Sequence, residues 1–190
     1  MTNIAIFASG DGSNFQSIID AFKTKKLIVD KIILITNKQN CYARTRAKIN
    51  NIKNYNFLLQ DYEDKNEYER DILKTLKKEN IDYIFLAGYM TMITNILLDE
   101  YNNKIINTHP SLLPSFKGKD AIQYALDYKV YLSGFTIHYV NIEMDAGEII
   151  FQKAVRVFKK DTHDSLKKRI QKQEHKYYWQ IMNKIIKGEI

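Results

Sequence analysis

The sequence is poor in cysteine and proline, and it has no long apolar run. Cys41 is its one cysteine, so an internal disulfide is excluded, which suits a reducing compartment. No apolar run approaches the ~20 residues of a membrane span. The start, Met1-Thr2-Asn3-Ile4, lacks the basic opening of a secretory signal. The expectation is a cytoplasmic protein with no membrane partner. No Cys/His cluster has metal-ligand spacing, so no metal is expected. There are two prolines, Pro110 and Pro114, and both fall in one short stretch.

The 190 residues are 45% hydrophobic and 27% charged, which excludes global disorder. A chain of this size buries roughly 70% of its unfolded surface, so one core suffices. With no internal repeat, low-complexity tract or linker, residues 1–190 read as a single domain. The net charge is +7, and residues 151–190, with 11 basic and 4 acidic side chains, carry all of that excess. A basic tail is compatible with nucleic-acid binding, with a solvated lysine-rich helix, or with a field that attracts a small anion.

Asn3 to Ser9 is an apolar run stopped by glycine and reads as a buried strand. Gly10-Asp11-Gly12-Ser13 follows, and then Phe15, Ile18, Ile19 and Phe22 recur at helical spacing. Further strands are expected at 28–36, 55–59, 81–86 and 104–107, with helices at 42–49 and 67–78. Such alternation predicts an α/β fold: a mostly parallel twisted sheet with helices on both faces. The second half differs. Strands at 133–140 and 149–157 have no helix between them and read as an antiparallel pair. A last helix, capped by Asp161 or Thr162, buries Leu166, Ile170, Tyr177, Ile181 and Ile185.

Three segments carry candidate chemistry. In the first, Ser9-Gly10-Asp11-Gly12-Ser13-Asn14, a glycine turn opens a helix, an arrangement that suits phosphate but also serves as a plain strand-to-helix turn. It is neither a dinucleotide fingerprint nor a Walker loop, and Asp11 is unhelpful beside phosphate unless it points away. In the second, Asn107-Thr108-His109-Pro110, two polar side chains two apart face one crevice. They are an oxyanion donor with a proton carrier, or polar groups satisfied in a rigid turn. The third is the loop Asn141 to Gly147, where Asp145 either pairs with His109 and favours its charged form or lies in a solvated hairpin. His138 reads as a pocket wall or a core histidine.

Together these segments resemble the folate-dependent glycinamide ribonucleotide formyltransferases. The resemblance runs from Asn3 to about Gly188. It rests on Ser9-Gly10-x-Gly12-Ser13-Asn14-Phe15-Gln16, Leu86-Ala87-Gly88-Tyr89-Met90, Asn107-x-His109-Pro110-Ser111-Leu112-Leu113-Pro114, Asp145-x-Gly147 and Gln171-x-Gln173-Glu174-His175. It implies a Rossmann-like formyltransferase fold, with a nucleotide-binding half at 1–100 and a catalytic and folate-loop half at 101–190. It implies formyl transfer from 10-formyltetrahydrofolate, as cosubstrate, to the amine of glycinamide ribonucleotide, without metal. It assigns Asn107, His109 and Asp145 to catalysis. Gly12, Ser13, Asn14, Gln171, Lys172, Gln173 and Glu174 fall to the ribonucleotide. Lys65, Met90, Thr91, Met92, Ile93, Asn107, Asn141, Ile142, Glu143, Met144 and Asp145 fall to the folate. The implied partners are small molecules and no nucleic acid, with a monomer or weak homodimer as the assembly.

The chain departs from that pattern at three positions. Thr108 replaces a usual apolar residue, Thr91 stands where arginine is common, and Ala146 replaces a frequent glycine. Formyltetrahydrofolate deformylase and methionyl-tRNA formyltransferase share parts of the pattern. The first carries an extra N-terminal domain and the second a C-terminal one. A first strand at Asn3 and an end at Ile190 are expected to leave no room for either. The non-enzyme alternative is a basic nucleotide- or RNA-binding module.

Overall fold

The structure, a computed structural model, describes residues 2–190. Seven strands form one sheet: β1 (Asn3–Phe7), β2 (Lys31–Thr36), β3 (Lys53–Asn56), β4 (Tyr83–Leu86), β5 (Ile105–His109), β6 (Leu132–Tyr139) and β7 (Ile149–Arg156). Their order is β3-β2-β1-β4-β5-β6-β7. The first five are mutually parallel, while β6 runs antiparallel to both β5 and β7. Six helices accompany them: α1 (Ser13–Lys23), α2 (Tyr42–Ile49), α3 (Lys65–Lys78), α4 (Asn95–Glu100), α5 (Ala121–Asp127) and α6 (His163–Ile186).

The period of two along β1 explains the layers. Ile4, Ile6 and Ala8 enter a core shared with Phe15 and Ile18 of α1 and with Leu166, Ile170 and Tyr178 of α6. Ala5 and Phe7 enter a second core with Tyr68, Ile72 and Leu76 of α3 and Leu97 of α4. Both faces are covered, so the central strands are apolar throughout. Strand order reverses direction between β1 and β4, and in open sheets that switch point leaves a crevice beyond the strand ends.

Several sequence-based bounds are corrected. β2 starts at Lys31 and not at Ile28, which is 63% exposed on the approach turn. β3 spans Lys53–Asn56, earlier than the expected 55–59, and Leu59–Asp61 is a single 3-10 turn. As an edge strand paired only with β2, β3 carries polar residues that hide it from an apolar reading. The helices α4 and α5, six and seven residues long, are too short for periodicity to reveal. In α6 the buried slot assigned to Tyr177 belongs to Tyr178, whose hydroxyl donates to the Leu86 carbonyl at 2.8 Å. The antiparallel expectation for β6 and β7 holds, and it extends to β5.

Candidate active site

Three strand ends at the carboxyl edge of the sheet build the site. After β1 the chain turns through Gly12, whose φ is 73°. A Cβ there would lie 2.8 Å from the Ala43 Cβ, so α2 props the turn from below. The Ala43 N–H also donates to the Gly10 carbonyl at 3.2 Å. No side chain caps α1 at Gly12. The first N–H groups of α1, beginning at Ser13, are therefore left for an anion.

Behind the turn lies Glu174 of α6, 5% exposed. Its carboxyl accepts from Asn14 Nδ2 at 3.0 Å and from Thr108 Oγ1 at 3.3 Å. Burial pushes the Glu174 pKa up, and those two hydrogen bonds pull against it. The Thr108 hydroxyl is thus the partner of a buried carboxyl. Asn14 Oδ1 is buried without a hydrogen-bond donor. Gln171 and Gln173 are half-buried. Lys172 is exposed, two residues from Glu174 and so on the other side of the helix. The structure does not bring Lys172 into this cluster.

On the other face of β5, Asn107 and His109 meet the 141–148 loop. Asp145, with φ 49°, turns its carboxylate inward. Its Oδ2 lies 3.3 Å from His109 Nδ1 and accepts from the Gly118 N–H at 2.8 Å. Its Oδ1 lies 3.5 Å from Asn107 Nδ2 and 3.6 Å from His138 Nε2. Burial opposes ionisation of Asp145. The hydrogen bonds from His138 and Gly118 and the attraction of His109 outweigh it and hold the carboxyl below its usual range. A Cβ on Gly147 would lie 1.7 Å from the Tyr139 carbonyl oxygen, so only glycine lets the loop return this closely.

His109 Nε2 donates to the Phe116 carbonyl at 2.8 Å. Both ring nitrogens thus face oxygen atoms. Action on a substrate oxygen requires exchanging the Phe116 bond for a bond to that oxygen. His138, left open by the sequence between wall and core, is part of the cluster. Its Nδ1 donates to the Tyr139 carbonyl at 2.8 Å, and its Nε2 lies between Asn107 Nδ2 at 3.2 Å and Asp145 Oδ1 at 3.6 Å. Asn107 Nδ2 also donates to Asp145 Oδ1 at 3.5 Å, so serving a ligand means exchanging one of these contacts. The clue lies in register, because His138 stands directly opposite Asn107 across β5 and β6.

The β4 loop forms the third wall. The Met90 N–H donates to Ser9 Oγ at 2.9 Å, and Thr91 Oγ1 accepts from Asn37 at 2.7 Å. Met90 and Met92 are exposed, whereas Ile93 is buried in the core beneath. A cavity of about 420 Å³ opens between α4 and the stretch that follows β6, lined by Asn95, Leu98, Asp99, Val140, Asn141 and Ile142 among others. Glu143 and Met144 are exposed on the same loop. Lys65 opens α3, half-buried and without an ion pair among the described residues.

An uncapped helix end, a carboxylate-held histidine and an amide donor at one crevice define a group-transfer enzyme that stabilises a developing oxyanion. The profile of the formyl transferase family matches residues 2–182, and the chain belongs to that family. It is 39% identical to phosphoribosylglycinamide formyltransferase of Bacillus subtilis (strain 168), covering 98% of this chain and 95% of that one. The enzyme of that name from Escherichia coli (strain K12) is 31% identical, with 99% and 89% covered. The crystal structure of glycinamide ribonucleotide transformylase 1 from Geobacillus kaustophilus superposes with TM-score 0.94 at 40% identity, covering 97% and 98%.

Proposed function

We propose that this chain transfers the formyl group of 10-formyltetrahydrofolate to the amine of N1-(5-phospho-D-ribosyl)glycinamide in de novo purine (IMP) biosynthesis. The products are the N2-formyl ribonucleotide and tetrahydrofolate. The observation that carries this reading is the sequence of features along one sheet edge. The uncapped start of α1 follows β1, the Met90–Ile93 loop follows β4, and the Asn107–His109–Asp145 cluster follows β5. The phosphate is assigned to Gly12, Ser13 and Asn14, and the ribose and glycinamide to Gln171, Gln173 and Glu174. Lys172 takes no part in this assignment. The folate is assigned to the Met90–Ile93 and Asn141–Asp145 loops beside the 420 Å³ cavity, with Lys65 for its acidic tail.

Formyltetrahydrofolate supplies the one-carbon group when bound. The chain's own residues orient it and manage charge. Asn107 Nδ2 and His109 Nε2 exchange their Asp145 and Phe116 contacts to donate to the carbonyl oxygen as negative charge develops there. Asp145 holds His109 Nδ1 at 3.3 Å and so orients the ring. We place the enzyme in the cytoplasm as a monomer or weak homodimer acting on small molecules and not on nucleic acid. No helix among the described residues is long and apolar enough to cross a membrane, and no metal-binding cluster of His, Cys, Asp or Glu occurs among them. Formyl transfer to glycinamide ribonucleotide, run beside a water-only reaction, tests the reading. Rapid hydrolysis with no transfer would overturn it in favour of a deformylase.

A further inference from the structure

We propose that Arg46 is a positioning residue for the ribonucleotide phosphate: it cancels the charge of Asp11 and fixes the turn that receives the anion. This rests on the phosphate assignment above. Asp11 immediately precedes Gly12 and Ser13, so a carboxylate stands one residue from the place of a dianion. Uncompensated, it would oppose binding.

Arg46 meets that charge with one nitrogen and ties the turn with the other two. Nη2 lies 3.0 Å from Asp11 Oδ2, and Nε donates to the Asp11 backbone carbonyl at 2.9 Å. Nη1 donates to Gln16 Oε1 on α1 at 3.3 Å. The Tyr42 ring lies under the cation, 4.7 Å from its centroid. The arginine side chain is 21% exposed and the aspartate 65%, so the cation is the sunk and fixed partner. Arg46 lies three residues beyond Ala43, the residue that props Gly12, and so on the same face of α2. One short helix thus supplies both the steric floor of the turn and its counter-charge. The planar fork makes these contacts together, which a lysine cannot do.

His175 of α6 adds no compensating charge. Burial and the nearby Arg46 cation hold its pKa below the usual histidine value, with Asp11 pulling weakly the other way. Arg46 is therefore the cation that balances Asp11 in the free protein.

The test is a double-mutant cycle read in KM for the ribonucleotide, with KM for folate and kcat as controls and melting temperature as a check on folding. Asp11→Asn leaves the Arg46 charge unopposed and should lower the ribonucleotide KM by about threefold to tenfold. Arg46→Met should raise it by about tenfold. Asp11→Asn combined with Arg46→Met should recover the charge-dependent part of that loss, leaving only the part due to the lost contacts with the Asp11 carbonyl and Gln16. An unchanged KM in Arg46→Met, an unchanged or raised KM in Asp11→Asn, or a double variant as poor as Arg46→Met would each overturn the proposal. Should Arg46→Met fail to fold, Asp11→Asn alone decides. Calorimetry with ribose 5-phosphate reads the same series without catalysis. A wild-type protein that binds it in the expected order of variants but transfers no formyl group would defeat the functional reading alone.

Discussion

Along β5 the side chains alternate between two tasks. Asn107 and His109 face Asp145 and the loops, while Thr108 faces Glu174 and, through it, Asn14. One strand end therefore addresses both proposed substrates. Replacing Asn107 by Ala, or Asp145 by Asn, should lower kcat by about 10²–10³ and change both KM values only a few-fold, because the charge they serve exists mainly in the transition state. Steady-state kinetics with each substrate varied separately would show it, and a near-normal kcat in Asp145→Asn would remove that residue from the mechanism. Gly12→Val should act on the other substrate. Its side chain meets Ala43 at a backbone φ of 73°, so the ribonucleotide KM rises by at least about tenfold while folate KM holds. Equal damage to both ligands would indicate global misfolding. At this scale the shared facing of Asn107 and His109 was legible from the period of two, whereas Asp145 in its polar loop read equally as a solvated hairpin and was joined to them through the resemblance. His138 was not, because its meaning depends on which residue lies across the ladder.

At the scale of elements, α3 is tied to both ends of the Met90–Ile93 loop. The Tyr68 hydroxyl pairs with that of Tyr89. Next to it, Glu69 takes the Thr94 N–H at 2.8 Å on one oxygen and the Thr94 hydroxyl at 2.6 Å on the other. Thr94 is also the N-cap of α4, its hydroxyl accepting from the Ile96 N–H at 3.3 Å. Burial pushes the Glu69 pKa up, while the Thr94 contacts oppose that shift. Thr94→Val removes the hydroxyl and leaves a buried carboxylate oxygen unpaired. Stability should fall by about 1–3 kcal/mol, and folate KM should rise with ribonucleotide KM unchanged. Urea melts and paired KM measurements would show both; parallel rises in the two KM values would refute the link to this loop. None of this clamp was visible beforehand. Its helix, α4, is six residues long, and the partner of a cap on another element leaves no local pattern.

For the whole molecule, the alternation of strands and helices made the parallel half readable from periodicity. The reversal at β6 was readable because no crossover helix separates it from β7. The edge was harder to read, because β3 is held through side chains. Glu79, at the C-terminal end of α3, receives Lys53 and the Tyr55 hydroxyl on one oxygen and Lys31 at 3.2 Å on the other. This clasp gathers α3, β2 and β3 at the end of the sheet opposite the site. The hydrogen bonds from Lys53 and then Tyr55 pull the Glu79 carboxyl down from the usual 4.5 to about 2. A depressed carboxyl pKa stabilises the fold above the unfolded value, and that contribution disappears as pH falls from 4.5 towards 2. Its lysine partners are 35% and 57% exposed, so solvent screening reduces the contribution to about 1 kcal/mol. Asp161, likewise depressed through its hydrogen bonds with Arg169, adds a second group to the same acid limb. Glu79→Gln should therefore lower the urea midpoint at pH 7 and flatten, without abolishing, the fall in stability below pH 4.5, while kcat at neutral pH stays as in the wild type. Equal acid slopes in the two proteins would show that the clasp is not what acid releases.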